Sequence, residues 1–284
     1  MTEPILAPPF PTSALLCAAA RAAHLLVDGE PHVFTDSVAA RLLGPDGEEA
    51  IGYHLAYPGH PLLKAGRAEV TSRSRFAEDV LASSGARQYA VVGAGLDTYA
   101  YRDPGQGVRV FEVDRPATQE LKRAALARAG LTGPVTFVGA DLAVTPLGEA
   151  LAAAGAHPGE PLVVAALGLA MYLTVDELAA MLTTVAAWPG GAQIALDFLR
   201  PPDGEAARAY SEAVGSSVAA AGEPWRSRLS LDEAAGLAVA AGFPRAHATT
   251  PRDALPAALW ERTDGLRPGG TSGFLHASTR PLPG

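Results

Sequence analysis

A chain of 284 residues with 48% apolar side chains can bury one large core, which excludes global disorder. Its formal net charge of −8 repels phosphate backbones, so nucleic acid is not the expected partner. The one cysteine, Cys17, rules out an internal disulfide and asks for no oxidising compartment.

Met1-Thr2-Glu3-Pro4 lacks the basic segment of an export leader. The apolar run 14–27 is interrupted by Arg21 and His24 and is too short to span a bilayer, so a soluble cytoplasmic protein without membrane partners is expected. The first 85 residues read as helices. Thr35-Asp36-Ser37 offers capping oxygens before a helix over 38–43 that Gly44-Pro45 stops, and 66–84 is an amphipathic helix ended by Gly85.

From Gln88 the period changes. Short apolar runs at 89–92, 108–113, 135–138, 162–166 and 193–198 read as buried strands. Helical stretches at 116–129, 147–154 and 174–187 separate them. Pro116 suits a first helical position, and Thr174 with Glu177 forms a capping box. Residues 205–221 are helical, Ser230 with Glu233 is a second capping box opening a helix that closes at Gly242, and 274–277 is a last strand. Strands alternating with helices predict an α/β fold, doubly wound and Rossmann-like.

Val91-Val92-Gly93-Ala94-Gly95-Leu96-Asp97-Thr98 reads as strand, glycine turn and helix start. Glycine lets a ligand approach the backbone without a Cβ in the way, and a helix N-terminus would add free N–H groups. Asp114 ends the next strand about twenty residues on, where a carboxylate can accept from both ribose hydroxyls. Asp141, after the third strand, can face an adenine amino group. Each piece alone is weak evidence, but their order and spacing together predict a nucleoside cofactor. Dinucleotide sites place a third glycine where this chain has Thr98, and a pyrophosphate would have to share the turn with Asp97. A sulfonium cofactor carries no phosphate, which favours S-adenosyl-L-methionine.

Gly93-Ala94-Gly95-Leu96-Asp97-Thr98, Tyr101-Arg102 and Phe111-Glu112-Val113-Asp114 resemble the leucine carboxyl methyltransferase-like family of class I methyltransferases. Further matches are Arg73-Ser74-Arg75-Phe76, Ala140-Asp141-Leu142, Met171-Tyr172-Leu173-Thr174, Gly222-Glu223-Pro224-Trp225-Arg226-Ser227 and Gly242-Phe243, so the likeness runs along nearly the whole chain. The resemblance implies a seven-stranded, mostly parallel sheet with an N-terminal helical cap. The expected division of a single domain, 1–284, is a cap over 1–85, a cofactor-binding core over 86–200, and a C-terminal substrate region with the last strands over 201–284. It further implies methyl transfer to oxygen. Arg73, in preference to Arg75, would pair with the methionyl carboxylate, and Arg21 is a looser second contact. Gly93 and Gly95 with Asp97 would form the turn under the cofactor. Asp114 would hold the ribose, and Asp141 with Leu142 would flank the adenine. Tyr172 is the expected catalytic residue, binding the acceptor oxygen.

Two positions depart from the pattern. Leu167 stands where related proteins often carry a glutamate for the cofactor's amino group, which leaves a backbone carbonyl as the substitute there. Ala143 stands where members acting on a protein C-terminus tend to carry arginine, which argues against a protein phosphatase as acceptor.

Other chemistries find little support. The seven histidines are scattered, with His54 and His60 in an expected loop at 52–60, and no spacing suits zinc, so no metal is expected. No Gly-x-Ser-x-Gly elbow is present. The expected product is a methyl ester on a small molecule or peptide, because a carboxylate needs no base and no Asp–His pair is evident. Arg200, Arg226 and Arg228 are candidate cations for it. The alternatives are a hydroxyl- or phenol-directed O-methyltransferase of secondary metabolism, a cofactor-binding protein without methyl transfer, and a dehydrogenase disfavoured by Thr98.

Overall fold

In the computed structural model, residues 11–102 and 107–280 are described; Met1–Pro4, read above for the lack of a leader, lie outside them. The elements are α1 (Thr12–Val27), α2 (Ala39–Leu43), α3 (Glu48–Ala56), α4 (Pro61–Ser84), β1 (Gln88–Val92), β2 (Arg109–Asp114), α5 (Pro116–Ala129), β3 (Val135–Gly139), α6 (Leu147–Ala153), β4 (Leu162–Ala166), α7 (Val175–Ala186), β5 (Ala192–Leu199), α8 (Gly204–Ala220), α9 (Leu231–Ala240), β6 (Arg245–Thr249), α10 (Pro251–Ala254) and β7 (Ser272–Ser278).

The seven strands form one sheet in the order β3-β2-β1-β4-β5-β7-β6. The first five run parallel, and β7 lies antiparallel between β5 and β6. Strands β1 and β4 are buried along their whole length, as continuous apolar runs in a sheet covered on both faces should be. One face packs on α6, α7 and α9 through Leu147, Leu178, Leu182 and Ala238. The other packs on α4 and the C-terminal segment through Phe76, Val80, Trp260 and Leu266, with the Phe76 and Phe274 rings stacked 4.9 Å apart. A third cluster joins the cap to α5 through Ala18, Leu42, Leu43 and Leu126. No helix among the described residues is long and apolar enough to cross a membrane.

Most expected elements form within a residue or two of their predicted ends, and both capping boxes are present. Three expectations need correction. The stretch 52–60 is not a loop: α3 occupies its first half, and Glu48 and Glu49 at the positive end of the helix offset the weakness that Gly52 brings to its middle. Helix α4 begins at Pro61 rather than Gly66, with proline in the first turn. No α-helix follows the glycine turn, only a short 3₁₀ turn at Tyr99–Tyr101. Side chains there compete with helical bonding: Asp97 Oδ1 accepts from Tyr99 N at 2.8 Å, and Thr98 Oγ1 donates to Asp36 of the cap at 2.7 Å.

Candidate active site

The glycine turn stands at the C-terminal end of the central strand β1. Gly93 and Gly95 have φ of 67° and 41°, the left-handed region that side chains resist. Gly93 N donates to Val113 O at 2.9 Å, which sets the turn against the end of β2. Asp114 then closes the arrangement: Oδ2 accepts from Gly95 N at 2.7 Å and Oδ1 from Arg115 N at 2.7 Å. Its carboxylate keeps further lone pairs for a ligand hydroxyl.

The cap braces this turn from outside. Arg21 of α1 donates to Asp36 Oδ2 at 2.8 Å and to Leu96 O at 2.7 Å. Burial opposes the charge on Asp36, but Arg21, Arg102 and Thr98 outweigh it and hold that carboxyl below its usual range. Arg21 is therefore a strut between cap and turn, and it also lines the cavity that opens there.

A cavity of about 700 Å³ opens over the turn. It runs from Gly93, Gly95, Asp97 and Asp114, past Leu167 and Tyr172, to α8 and the segment 222–226. Arg73 reaches it from α4: Nη1 donates to Asp197 Oδ2 at 3.0 Å and Nη2 to Cys17 Sγ at 3.2 Å. Arg75 instead pairs with Asp79 on the outer face of the helix. Asp141 and Leu142 stand apart from the cavity wall. Asp141 is exposed and accepts from Ala143 N at 3.0 Å, while Leu142 packs under the sheet. Leu167 packs with the apolar cluster beneath α4.

Tyr172 ends a 3₁₀ turn after β4, and burial is the main cause that pushes its phenol above the usual range. The C-terminal half is stitched to that turn: Arg226 N donates to Met171 O at 2.7 Å and Ser227 Oγ to Ala170 O at 3.1 Å. Helix α1 closes the same end, with Ser13 Oγ donating to Glu223 Oε1 at 2.9 Å. Of the candidate cations, Arg226 lines the cavity but pairs with Glu177 at 2.8 Å, and Arg228 bonds Arg200 O and Ser211 away from it. Buried His54 also lines the cavity, on α3, and bonds Arg67. No group of three or more His, Cys, Asp or Glu among the described residues could hold a metal ion.

Two acidic residues of the wall were missed from sequence, although each carries a signal. Asp197 interrupts the apolar run of β5 and is 2% exposed. Glu69 sits on the buried face of α4 with Ala65, Ala68, Ser72 and Phe76, at helical spacing. Its Oε1 accepts from Gly269 N at 2.7 Å, and burial pushes its carboxyl up to about 7 against the opposing hydrogen bonds of Ser272 and Gly269.

The sequence profile of the leucine carboxyl methyltransferase family matches residues 14–186. YktD of Bacillus subtilis strain 168, which carries the name of an S-adenosyl-L-methionine-dependent methyltransferase, is 32% identical over 218 residues, covering 72% of this chain and 71% of YktD. A Mycobacterium avium protein named for the same activity is 36% identical over 172 residues, 58% of this chain and about half (53%) of that protein. Among solved structures, one from Thermobifida fusca YX, described as a methyltransferase, superposes with a TM-score of 0.58 at 16% identity over 98% of both chains. A DUF574 family protein of Streptomyces avermitilis gives 0.54 at 17% identity over 91% of this chain and 96% of that one. At those identities the likeness is one of fold, the Rossmann-like class I methyltransferase fold.

Proposed function

The chain belongs to the leucine carboxyl methyltransferase family and is an S-adenosyl-L-methionine-dependent methyltransferase; from that premise we propose that it methylates a carboxylate oxygen of a small molecule or peptide, giving a methyl ester. The observation that carries the proposal is the single cavity of about 700 Å³ that joins the glycine turn to Tyr172. The lining suits the cofactor: positive φ at Gly93 and Gly95 keeps side chains off the turn, Asp114 retains acceptor capacity, and Arg73 faces the cavity from α4. We assign Gly93, Gly95, Asp97, Asp114 and Arg73 to the cofactor, with Leu167 packing beside it. Asp141 and Leu142 lie outside the cavity lining.

When bound, S-adenosyl-L-methionine supplies an already activated methyl group on a cationic sulfur. The protein's part is to align the acceptor and exclude water. Tyr172, half-buried in the cavity wall, holds the acceptor oxygen by its phenol, which is protonated and a donor at neutral pH. Ala143 is exposed beside the Asp141 turn and offers no cation there, which supports an acceptor other than a protein C-terminus. We place the reaction in secondary metabolism and in the cytoplasm.

The test is chemical. Methyl esters release methanol in mild alkali, whereas phenolic and alcoholic ethers do not. Labelled product that keeps its methyl group through that treatment would sink the ester reading.

Glu69 supports a second reading, a hydroxyl-directed enzyme. A carboxyl held near 7 in the cavity wall is the base that sequence did not reveal, and it is matched to proton removal at neutral pH. In that case turnover rises with pH through about 7, and Glu69→Gln abolishes the rise. A carboxylate acceptor gives no such limb.

A further inference from the structure

The amino-acid end of the cofactor is a zwitterion, and its two charges leave water on entering the cavity. A wall that met only one of them would leave the other uncompensated, which is costly in a low-dielectric site. Asp197 and Arg73 form a buried pair of opposite charge on the cavity wall, 3.0 Å apart, with side chains 3% and 14% exposed. We propose that Asp197 holds the α-ammonium of S-adenosyl-L-methionine, beside Arg73, which takes the α-carboxylate. The inference rests on the cofactor assignment given above and adds an anion to it, since Leu167 offers none.

Three features distinguish this pair from a brace between helix and sheet. First, the backbone is cut away for it. Gly168 has a φ of 65°, and a Cβ there would meet Arg73 Nη2 at 2.8 Å. The guanidinium thus lies against bare backbone at the loop that follows β4. Second, that loop faces the glycine turn: a Cβ on Gly93 would stand 3.4 Å from Leu169 Cδ1. The pair is therefore beside the cofactor end of the cavity. Third, Asp197 is fixed in direction but not saturated. Oδ1 accepts from Gly168 N at 2.6 Å and Oδ2 from Arg73, and each oxygen has a second lone pair. A zwitterionic amino-acid end meeting a neutral ion pair places each of its two charges beside an opposite one.

The test compares S-adenosylhomocysteine with 5′-methylthioadenosine, which has the same adenosine and sulfur but no amino-acid end. By calorimetry at pH 7, the wild type binds S-adenosylhomocysteine at least tenfold more tightly. Asp197→Asn keeps an oxygen for Gly168 N–H, so the loop is retained. It loses most of that advantage while binding methylthioadenosine as the wild type does. A variant that weakens for both ligands equally shows a structural brace and overturns the proposal, as does one that binds S-adenosylhomocysteine normally. Should the variant not fold, the wild type decides: the S-adenosylhomocysteine analogue lacking the α-amino group must bind at least tenfold more weakly than the parent, and equal affinity overturns the proposal. A wild type that binds neither nucleoside refutes the cofactor site itself and the clamp with it, a result distinct from the other two.

Discussion

The two ends of the cavity are built differently. The cofactor end is mostly a local backbone turn, with two glycines at positive φ, an N–H on Asp114 and a strand terminus within residues 92–115, and Arg73 with Asp197 is the side-chain pair brought to it from distant sequence. The acceptor end is side chains drawn from distant sequence. Ser13 meets Glu223, the Glu69 carboxylate takes the N–H of Gly269, and the Ser227 hydroxyl meets Ala170 O. A backbone site is fixed by local conformation and tolerates exposure to water. A side-chain site must bury polar groups, and it holds them in protonation states they would not have in water. Substitutions at the two ends should therefore fail in different ways, and four of them test this.

The largest effect is expected at Glu69. Its carboxyl titrates near 4.5 when unfolded and about 7 when folded, because burial opposes its charge. Between those values the folded chain keeps a proton that the unfolded chain has lost, so this contribution to stability is present below pH 4.5 and is lost as pH rises through 7. The span corresponds to roughly 3 kcal/mol. Glu78 and Glu112 are also pushed up to about 7 and act in the same direction. The comparison is therefore with Glu69→Gln, whose urea midpoint should decline less between pH 4.5 and 7.5. Parallel declines would show that Glu69 does not carry the strain of the acceptor end.

At the cofactor end, Asp114→Ala should weaken S-adenosylhomocysteine binding by about 1–3 kcal/mol, the range for stranding buried polar partners. Stability should fall far less, since the residue lies at a strand end beside solvent. Unchanged affinity would reduce Asp114 to a clasp for Gly95 N–H.

The same contrast explains what could be read from sequence. The glycine turn, Asp114 and the strands β1 to β5 were legible because each is specified by neighbours within a few residues. Strand β6 was not: Arg245–Thr249 is an edge strand, half-exposed, with alanine as its only apolar residue. The helix expected after Thr98 was wrong because Asp36, 62 residues away, takes the threonine hydroxyl. Asp197 and Glu69 stand on faces that pattern alone marks as core, and only the fold shows that a cavity opens there. Arg73 was assigned from resemblance; its partner on β5 lies 124 residues away in sequence.

Glycine substitutions separate strain from site. Gly93→Ala and Gly85→Ala each place a Cβ on a residue with φ of 67°. Each should cost about 1–2 kcal/mol of stability from left-handed backbone. At Gly85 a Cβ meets nothing within 4 Å, whereas at Gly93 it approaches Leu169 across the cofactor end. Both variants should lose similar stability, and Gly93→Ala alone should lose affinity for S-adenosylhomocysteine. Equal affinities in the two would place the cofactor away from the turn.

The smallest effect is expected at Tyr172. Phenylalanine keeps the ring and its packing and removes one hydroxyl, and a single neutral hydrogen bond contributes about 1 kcal/mol. The phenol lies between Ser13, Trp225 and the cavity, where burial raises its pKa. If it donates to the acceptor oxygen, Tyr172→Phe lowers kcat/KM for the acceptor by roughly five- to tenfold and leaves the cofactor's Kd unchanged. The split between the two ligands is the informative reading. A loss of cofactor affinity instead would mean that the two ends of the cavity are one site, and that the 3₁₀ turn at Ala170–Tyr172 serves the loop at Gly168 rather than the acceptor. Unchanged kinetics for both ligands would make Tyr172 a packing residue and leave Glu69 as the group of the acceptor end whose chemistry reaches the substrate.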